Sequence, residues 1–161
     1  MRQKLINVAV FVVCLQVFGC AQPANDAKAA GYLFVQVSQS GTFDGERLTL
    51  HDVSAQTVFF SDRPKRVAGH LPTTQFLEQW KPGGSFQSDP PNASLAFVTA
   101  GIESAVVLEL QDPVLDGPRL SFRVRVLQGT PPASFADASL FIDAGGLMQL
   151  VAYGAQDVYG Q

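Results

Sequence analysis

Three residues that could form a hydrolytic site lie close together in this chain: Ser61, Asp62 and His70. A serine hydrolase needs a nucleophile, a base within hydrogen-bond reach of it, and a carboxylate that orients the base. Ser61 lacks the G-x-S-x-G elbow that exposes the nucleophile in one large class of hydrolases. The alternative is structural, because Ser and Asp side chains commonly cap a turn, here before Pro64. The sequence leaves both hypotheses open and assigns no catalytic residue.

The same stretch carries cations that could bind an anionic group. Arg63 and Arg66 flank Lys65, and a guanidinium group suits bidentate contact with a phosphate, a uronic acid or another carboxylate. Arg63 could instead pair with Asp62 and hold the loop in place, and a solvated loop is the simplest alternative. We therefore predict a binding site made of Asp62, Arg63, Arg66 and His70, for a small anionic ligand or an envelope protein.

Metal ligands are sparse and scattered along the chain. The candidates are His51, Asp62, His70, Asp89 and Asp143. None of them has the spacing of a His-x-His pair or of a calcium loop. The sequence also has no glycine-rich phosphate loop and no Cys-x-x-Cys pair. It therefore predicts no metal site and no cofactor, and a metal-binding envelope protein stays as an alternative.

The first twenty residues have the pattern of a secretory signal. Arg2 and Lys4 precede an apolar run over 5–18, which is shorter than the roughly 20 residues that span a bilayer as a helix. The run ends in Val-Phe-Gly-Cys and resembles a bacterial lipobox, in which Cys20 is lipidated and becomes the new N-terminus. Ordinary cleavage after Ala21 is the alternative. Residues 21–31 are small and polar, which is typical of a flexible tether.

Cysteine content and charge agree with export. Cys14 lies in the predicted leader, so the mature chain would keep only Cys20 and could form no internal disulfide. The formal net charge is −3, and it becomes −5 without the two leader cations, which argues against a nucleic-acid partner. We predict an exported lipoprotein of the cell envelope, anchored to a membrane through Cys20 and facing the periplasm or the outside.

The elements that must position these residues are mostly strands. Short runs of alternating polarity recur about every ten residues between turn signals. They predict an all-β domain over 32–153, an antiparallel β-sandwich of about seven or eight short strands, with a frayed tail over 154–161. In the first strand, we expect Leu33, Val35 and Val37 to face the core. The same alternation in later strands predicts these inward residues: Leu48, Leu50, Leu95, Phe97, Val106, Leu108, Leu110, Leu120, Phe122, Val124 and Val126.

One short helix is expected, inserted after the third strand at 57–60. Pro72-Thr73-Thr74 offers capping residues, and Phe76, Leu77 and Trp80 form one apolar face. An exposed Trp80 could stack on a sugar ring. Its position one turn after Phe76 favours burial in the core instead.

Several short motifs, in one order, resemble those of a family of small secreted bacterial proteins. They are Phe60-Ser61-Asp62-Arg63-Pro64, Ala68-Gly69-His70, Phe76 with Trp80, Asp89-Pro90-Pro91-Asn92-Ala93 and Ser139-Leu140-Phe141-Ile142-Asp143. The resemblance covers about residues 32–143. It implies a secreted location and implies no chemistry.

A long insertion in an otherwise tight β fold indicates where contacts would be made. Residues 61–92 separate two strand-rich halves, and long insertions of this kind are often functional. The sequence therefore predicts a non-catalytic binding or accessory module that uses this loop. The alternatives are a small secreted hydrolase that uses Ser61, Asp62 and His70, and a metal-binding envelope protein.

Overall fold

Antiparallel strands account for most of the residues that the computed structural model describes, which are 31–61, 66–144 and 156–157. In this part of the chain the strands are β1 (Leu33–Phe43), β2 (Arg47–His51), β3 (Gln56–Ser61), β4 (Val67–Pro72), β5 (Asn92–Thr99), β6 (Ile102–Asp116), β7 (Arg119–Gln128), β8 (Ser134–Asp143) and β9 (Gln156–Asp157). Between β4 and β5 lie α1 (Thr73–Phe76), a 3-10 turn (Leu77–Trp80) and α2 (Ser85–Ser88). The prediction of a mostly antiparallel β fold is confirmed.

The sheet closes on itself into a six-stranded barrel, so the predicted sandwich is wrong. Around the barrel the order is β1-β2-β7-β6-β5-β8, and β8 pairs again with β1. Closure depends on the length of β1, because one of its edges is shared by two strands. β3 pairs with residues 33–35 of β1, and β2 pairs with residues 40–43. Local alternation is the same in a sandwich and in a barrel, so it could not distinguish them.

The β3–β4 hairpin extends from the barrel at the start of β1, where β3 pairs with residues 33–35. β4 pairs with β3, and β9 pairs with β4, so the helical segment follows the fourth strand rather than the third. The sequence of β4 does not indicate a strand, because Gly69 and Pro72 are unfavourable in strands. Gly69 is needed at this position, since a Cβ there would lie 2.8 Å from the Phe59 ring.

Aliphatic and aromatic side chains from all six strands fill the barrel interior. The fully buried ones are Phe34, Leu48, Leu50, Leu95, Leu108, Leu110, Leu120, Phe122, Leu140 and Ile142. Alternate residues of a strand point to opposite faces, and the inward positions predicted for β2, β5 and β6 are confirmed. The prediction for β7 holds through Val124, which packs against the core, and fails at Val126, which is 38% exposed.

The helical segment packs aromatic rings onto this core. Phe76 is fully buried with its ring centroid 4.7 Å from that of Phe34, and the Trp80 ring lies 5.7 Å from that of Phe122. The Trp80 Nε1–H donates to the Leu110 carbonyl at 3.2 Å. The predicted core position of Trp80 is therefore confirmed.

Among the described residues, no helix has both the length and the apolar character that a membrane span requires.

β1 faces in the direction opposite to the prediction. Phe34 and Gln36 are fully buried, whereas Leu33 and Val37 are 38% and 50% exposed. When one side of a strand carries aliphatic residues and the other side carries polar ones, the aliphatic side usually faces the core. Here the inward Gln36 is hydrogen-bonded inside the fold, which removes the cost of burying its amide.

Candidate functional site

Ser61 and His70 lie on neighbouring strands of the β3–β4 hairpin but on opposite faces of it. Ser61 is buried and pairs with Val67, whereas His70 is exposed and pairs with Val58. His70 is therefore three positions from the partner of Ser61, which places it about 10 Å along the strand and turns it to the other face. A base must reach its nucleophile. The geometry does not assemble the nucleophile and base of the hydrolase hypothesis.

Part of the predicted anion site falls within the described residues. Arg66 is exposed just before β4, and His70 is exposed on β4. Asp62 and Arg63 lie outside the described residues, as does Cys20. The anion site and the lipidation site therefore stay predictions.

The residues considered as metal ligands are dispersed over the fold. His51 ends β2, where its Nε2 lies 3.5 Å from Thr42 Oγ1, and Asp89 follows α2. Asp143 ends β8. Within 31–61 and 66–144 there is no group of three or more His, Cys, Asp or Glu placed to hold a metal ion.

A buried polar network joins β1, β3 and α1. Gln36 Oε1 accepts a hydrogen bond from Thr57 Oγ1 at 2.7 Å, and Gln36 Nε2 donates to the Ser54 carbonyl at 2.9 Å. Thr73 Oγ1 lies 3.2 Å from Gln36 Oε1 and 3.0 Å from the Ser54 carbonyl, so its one proton can donate to either. Thr73 makes no side-chain cap on α1, which corrects the predicted capping role. The network holds β1 with the Gln36 side chain facing inward, and Val35 and Val37 therefore face outward.

The outer surface of β8, β1 and β3 carries a cluster of apolar side chains, named here the outer apolar face. Its members are Leu33, Val37, Val58, Phe60 and Phe141, which are each 38–50% exposed. None of them carries a charge or a hydrogen-bonding side chain. With strands about 4.8 Å apart and about 3.3 Å per residue, the face has a footprint on the order of 250 Å².

The strand register makes this face continuous. Leu33 pairs with Phe60 in one row. In the next row the half-buried Val35 pairs with Val58 on one side and with Phe141 on the other. Side chains of directly paired residues point to the same face with Cβ atoms about 5 Å apart. Neighbouring members therefore contact one another and form one patch.

A signal for this face was present in the sequence. In β3, Val58, Phe59 and Phe60 are consecutive apolar residues, so both faces of that strand are apolar. Only one face of such a strand can be directed into the core. Phe59 is 2% exposed, and the two residues beside it face outward.

Two aspartates border the Val37 end of the outer apolar face. Asp52 and Asp137 line a shallow groove together with Val37, and both are exposed. Asp143 pairs with Leu33 at the other end. The centre of the face is therefore neutral, and the described residues place carboxylates at both of its ends.

These features define a class: a closed antiparallel barrel with a hairpin extension, a filled interior and an apolar outer face. Comparison with protein-family models, with curated proteins and with solved structures finds no match.

Proposed function

We propose that the protein is an exported, lipid-anchored protein of the cell envelope that acts as a non-catalytic binding or accessory module. The observation that carries this proposal is the outer apolar face. Patches of a few hundred Å² are the largest that a monomeric protein usually exposes, and they are often functional. Contacts to this protein are made on the outside of the barrel, since ten large side chains occupy the inside.

The proposed contact surface differs from the one predicted from the sequence. The stretch 61–92 contributes β4 and the aromatic residues that pack on the core, which is an architectural role. Within this stretch, His70 borders the surface proposed here, because it pairs with Val58. An anion site at Asp62, Arg63, Arg66 and His70 remains a separate prediction for that border.

The lipid anchor is tested on the full chain, produced in a bacterium that processes lipoproteins. We expect mass spectrometry to find an N-terminal peptide that begins at Cys20 and carries a diacylglycerol group. The control is Cys20→Ala, which should leave the protein unmodified and release it from the membrane fraction. A mature chain that begins after Ala21 with no lipid would show the anchor to be wrong.

A further inference from the structure

We infer that the outer apolar face lies against the surface of a phospholipid bilayer, so that the barrel rests on the membrane that holds its N-terminal lipid. This inference rests on the proposed lipid anchor and names the partner of the face. It assigns a membrane contact to Leu33, Val37, Val58, Phe60 and Phe141.

The point where the chain enters the barrel is the first argument. Leu33 is both the first residue of β1 and a member of the face. Tyr32 is held there by its ring contacts with Phe34 and Phe59, at centroid distances of 6.5 and 6.2 Å. Residues 21–32 reach at most about 40 Å when extended. A lipid on Cys20 would therefore keep this face close to the bilayer, at an effective concentration in the millimolar range.

The size of the face distinguishes a bilayer from a second copy of the chain. A stable protein–protein interface buries about 800 Å² on each partner, several times the footprint of the face, which is on the order of 250 Å². A dimer held by this patch alone would be weak. A membrane contact needs less, because the lipid on Cys20 already supplies most of the association.

The charges around the face indicate which bilayer surface it suits. Asp52 and Asp137 border one end, and Asp143 borders the other. These three carboxylates would repel anionic lipids and would not repel zwitterionic headgroups. The contact is therefore made by apolar side chains and does not require anionic lipid.

The test uses the full chain, purified with its lipid and reconstituted in phosphatidylcholine vesicles that contain acyl-chain-brominated lipid. Single substitutions Val37→Cys, Val58→Cys and Phe141→Cys carry an environment-sensitive fluorophore. The matched control is Val114→Cys, because Val114 is 54% exposed and lies on β6, three strands from β1 in either direction around the barrel. We expect quenching several-fold stronger at the three face positions than at Val114.

Several outcomes would overturn the inference. Equal quenching at Val58 and Val114 would mean that the barrel has no preferred orientation. Absence of quenching in protein that still sediments with the vesicles would refute the contact and leave the anchor intact. Energy transfer between two copies labelled at Val58, without quenching, would assign the face to a second copy. Protein that carries no lipid and does not sediment would refute both proposals.

Two further experiments identify whether apolar or electrostatic interactions stabilise the contact. Val58→Glu should reduce quenching of the Val37 probe to the level seen at Val114, whereas the control Val114→Glu should leave it unchanged. Replacing a third of the lipid by phosphatidylglycerol should change quenching by less than about twofold. A large, salt-sensitive increase with phosphatidylglycerol would assign the contact to cationic side chains such as Arg66 and overturn the apolar mechanism.

Discussion

Replacing Gln36 by methionine should destabilise the protein, because the amide of Gln36 is the centre of the buried network. Met is close to Gln in volume, so the substitution removes hydrogen bonds and leaves little cavity. It deletes the bond from Thr57 at 2.7 Å and the bond to the Ser54 carbonyl at 2.9 Å. Thr57 and the Ser54 carbonyl each keep Thr73 as a partner, at 3.1 and 3.0 Å.

The expected loss follows from these bonds. Each buried hydrogen bond contributes about 1 kcal/mol, and no polar group loses all of its partners. We therefore expect the free energy of unfolding to fall by about 2 kcal/mol. In a protein of this size, that corresponds to a decrease in Tm of about 4–8 °C.

Urea unfolding followed by Trp80 fluorescence measures this loss, and the same strand supplies the control. Gln39 is exposed on β1, so Gln39→Met should change stability by less than about 0.5 kcal/mol. Thr57→Val removes one of the bonds that Gln36→Met removes. The double variant should therefore lose less stability than the sum of the two single variants.

Two results would refute this reasoning. If Gln36→Met is as stable as the wild type, the network does not hold β1 in its observed orientation. If the losses of Gln36→Met and Thr57→Val are additive, the two side chains are not coupled through the bond between them.

Three smaller predictions concern other parts of the fold. Gly41→Ala should cost about 1–3 kcal/mol because a Cβ would overlap the Phe135 ring, and Phe135→Leu in the same chain should recover part of the loss in urea unfolding. His70→Ala should change the Tm little, with a stability change within about 0.5 kcal/mol, because His70 is exposed; a large loss would indicate a structural role for the ring. Arg125 holds the pKa of the Glu109 carboxyl below its ordinary value through their hydrogen bonds. Because this pKa is lower in the folded state than in the unfolded state, the ionised carboxylate stabilises the fold at neutral pH, and that stabilisation is lost as the pH falls. The free energy of unfolding should therefore decline below about pH 4, and it should decline less in Glu109→Gln.

Part of this fold could be predicted because some strands have only one apolar face. Leu48 and Leu50 in β2 alternate with polar residues, and the same is true of Leu108 and Leu110 in β6. Their burial follows from periodicity alone. The closure of the barrel could not be predicted, since it depends on the long-range pairing of β2 with β7, in which Leu48 lies opposite Phe122, and this pairing leaves no local pattern.

The candidate site was harder to predict from the sequence than the fold. Ser61 and His70 are close in sequence, yet the hairpin register places them on opposite faces. The members of the outer apolar face come from three strands, and Phe141 is far from Val58 in the chain. They become neighbours only through the pairing of β1 with β3 on one side and with β8 on the other.

The sequence by itself determined that this protein is built from antiparallel strands and that Trp80 packs in the core, because those features follow from side-chain periodicity over a few residues. Only the tertiary structure decided which side of β1 faces inward. Both sides of that strand carry large apolar residues, Phe34 on one and Val35 and Val37 on the other. The choice depends on Thr57 and Thr73, distant residues that hydrogen-bond Gln36 and so make its burial favourable.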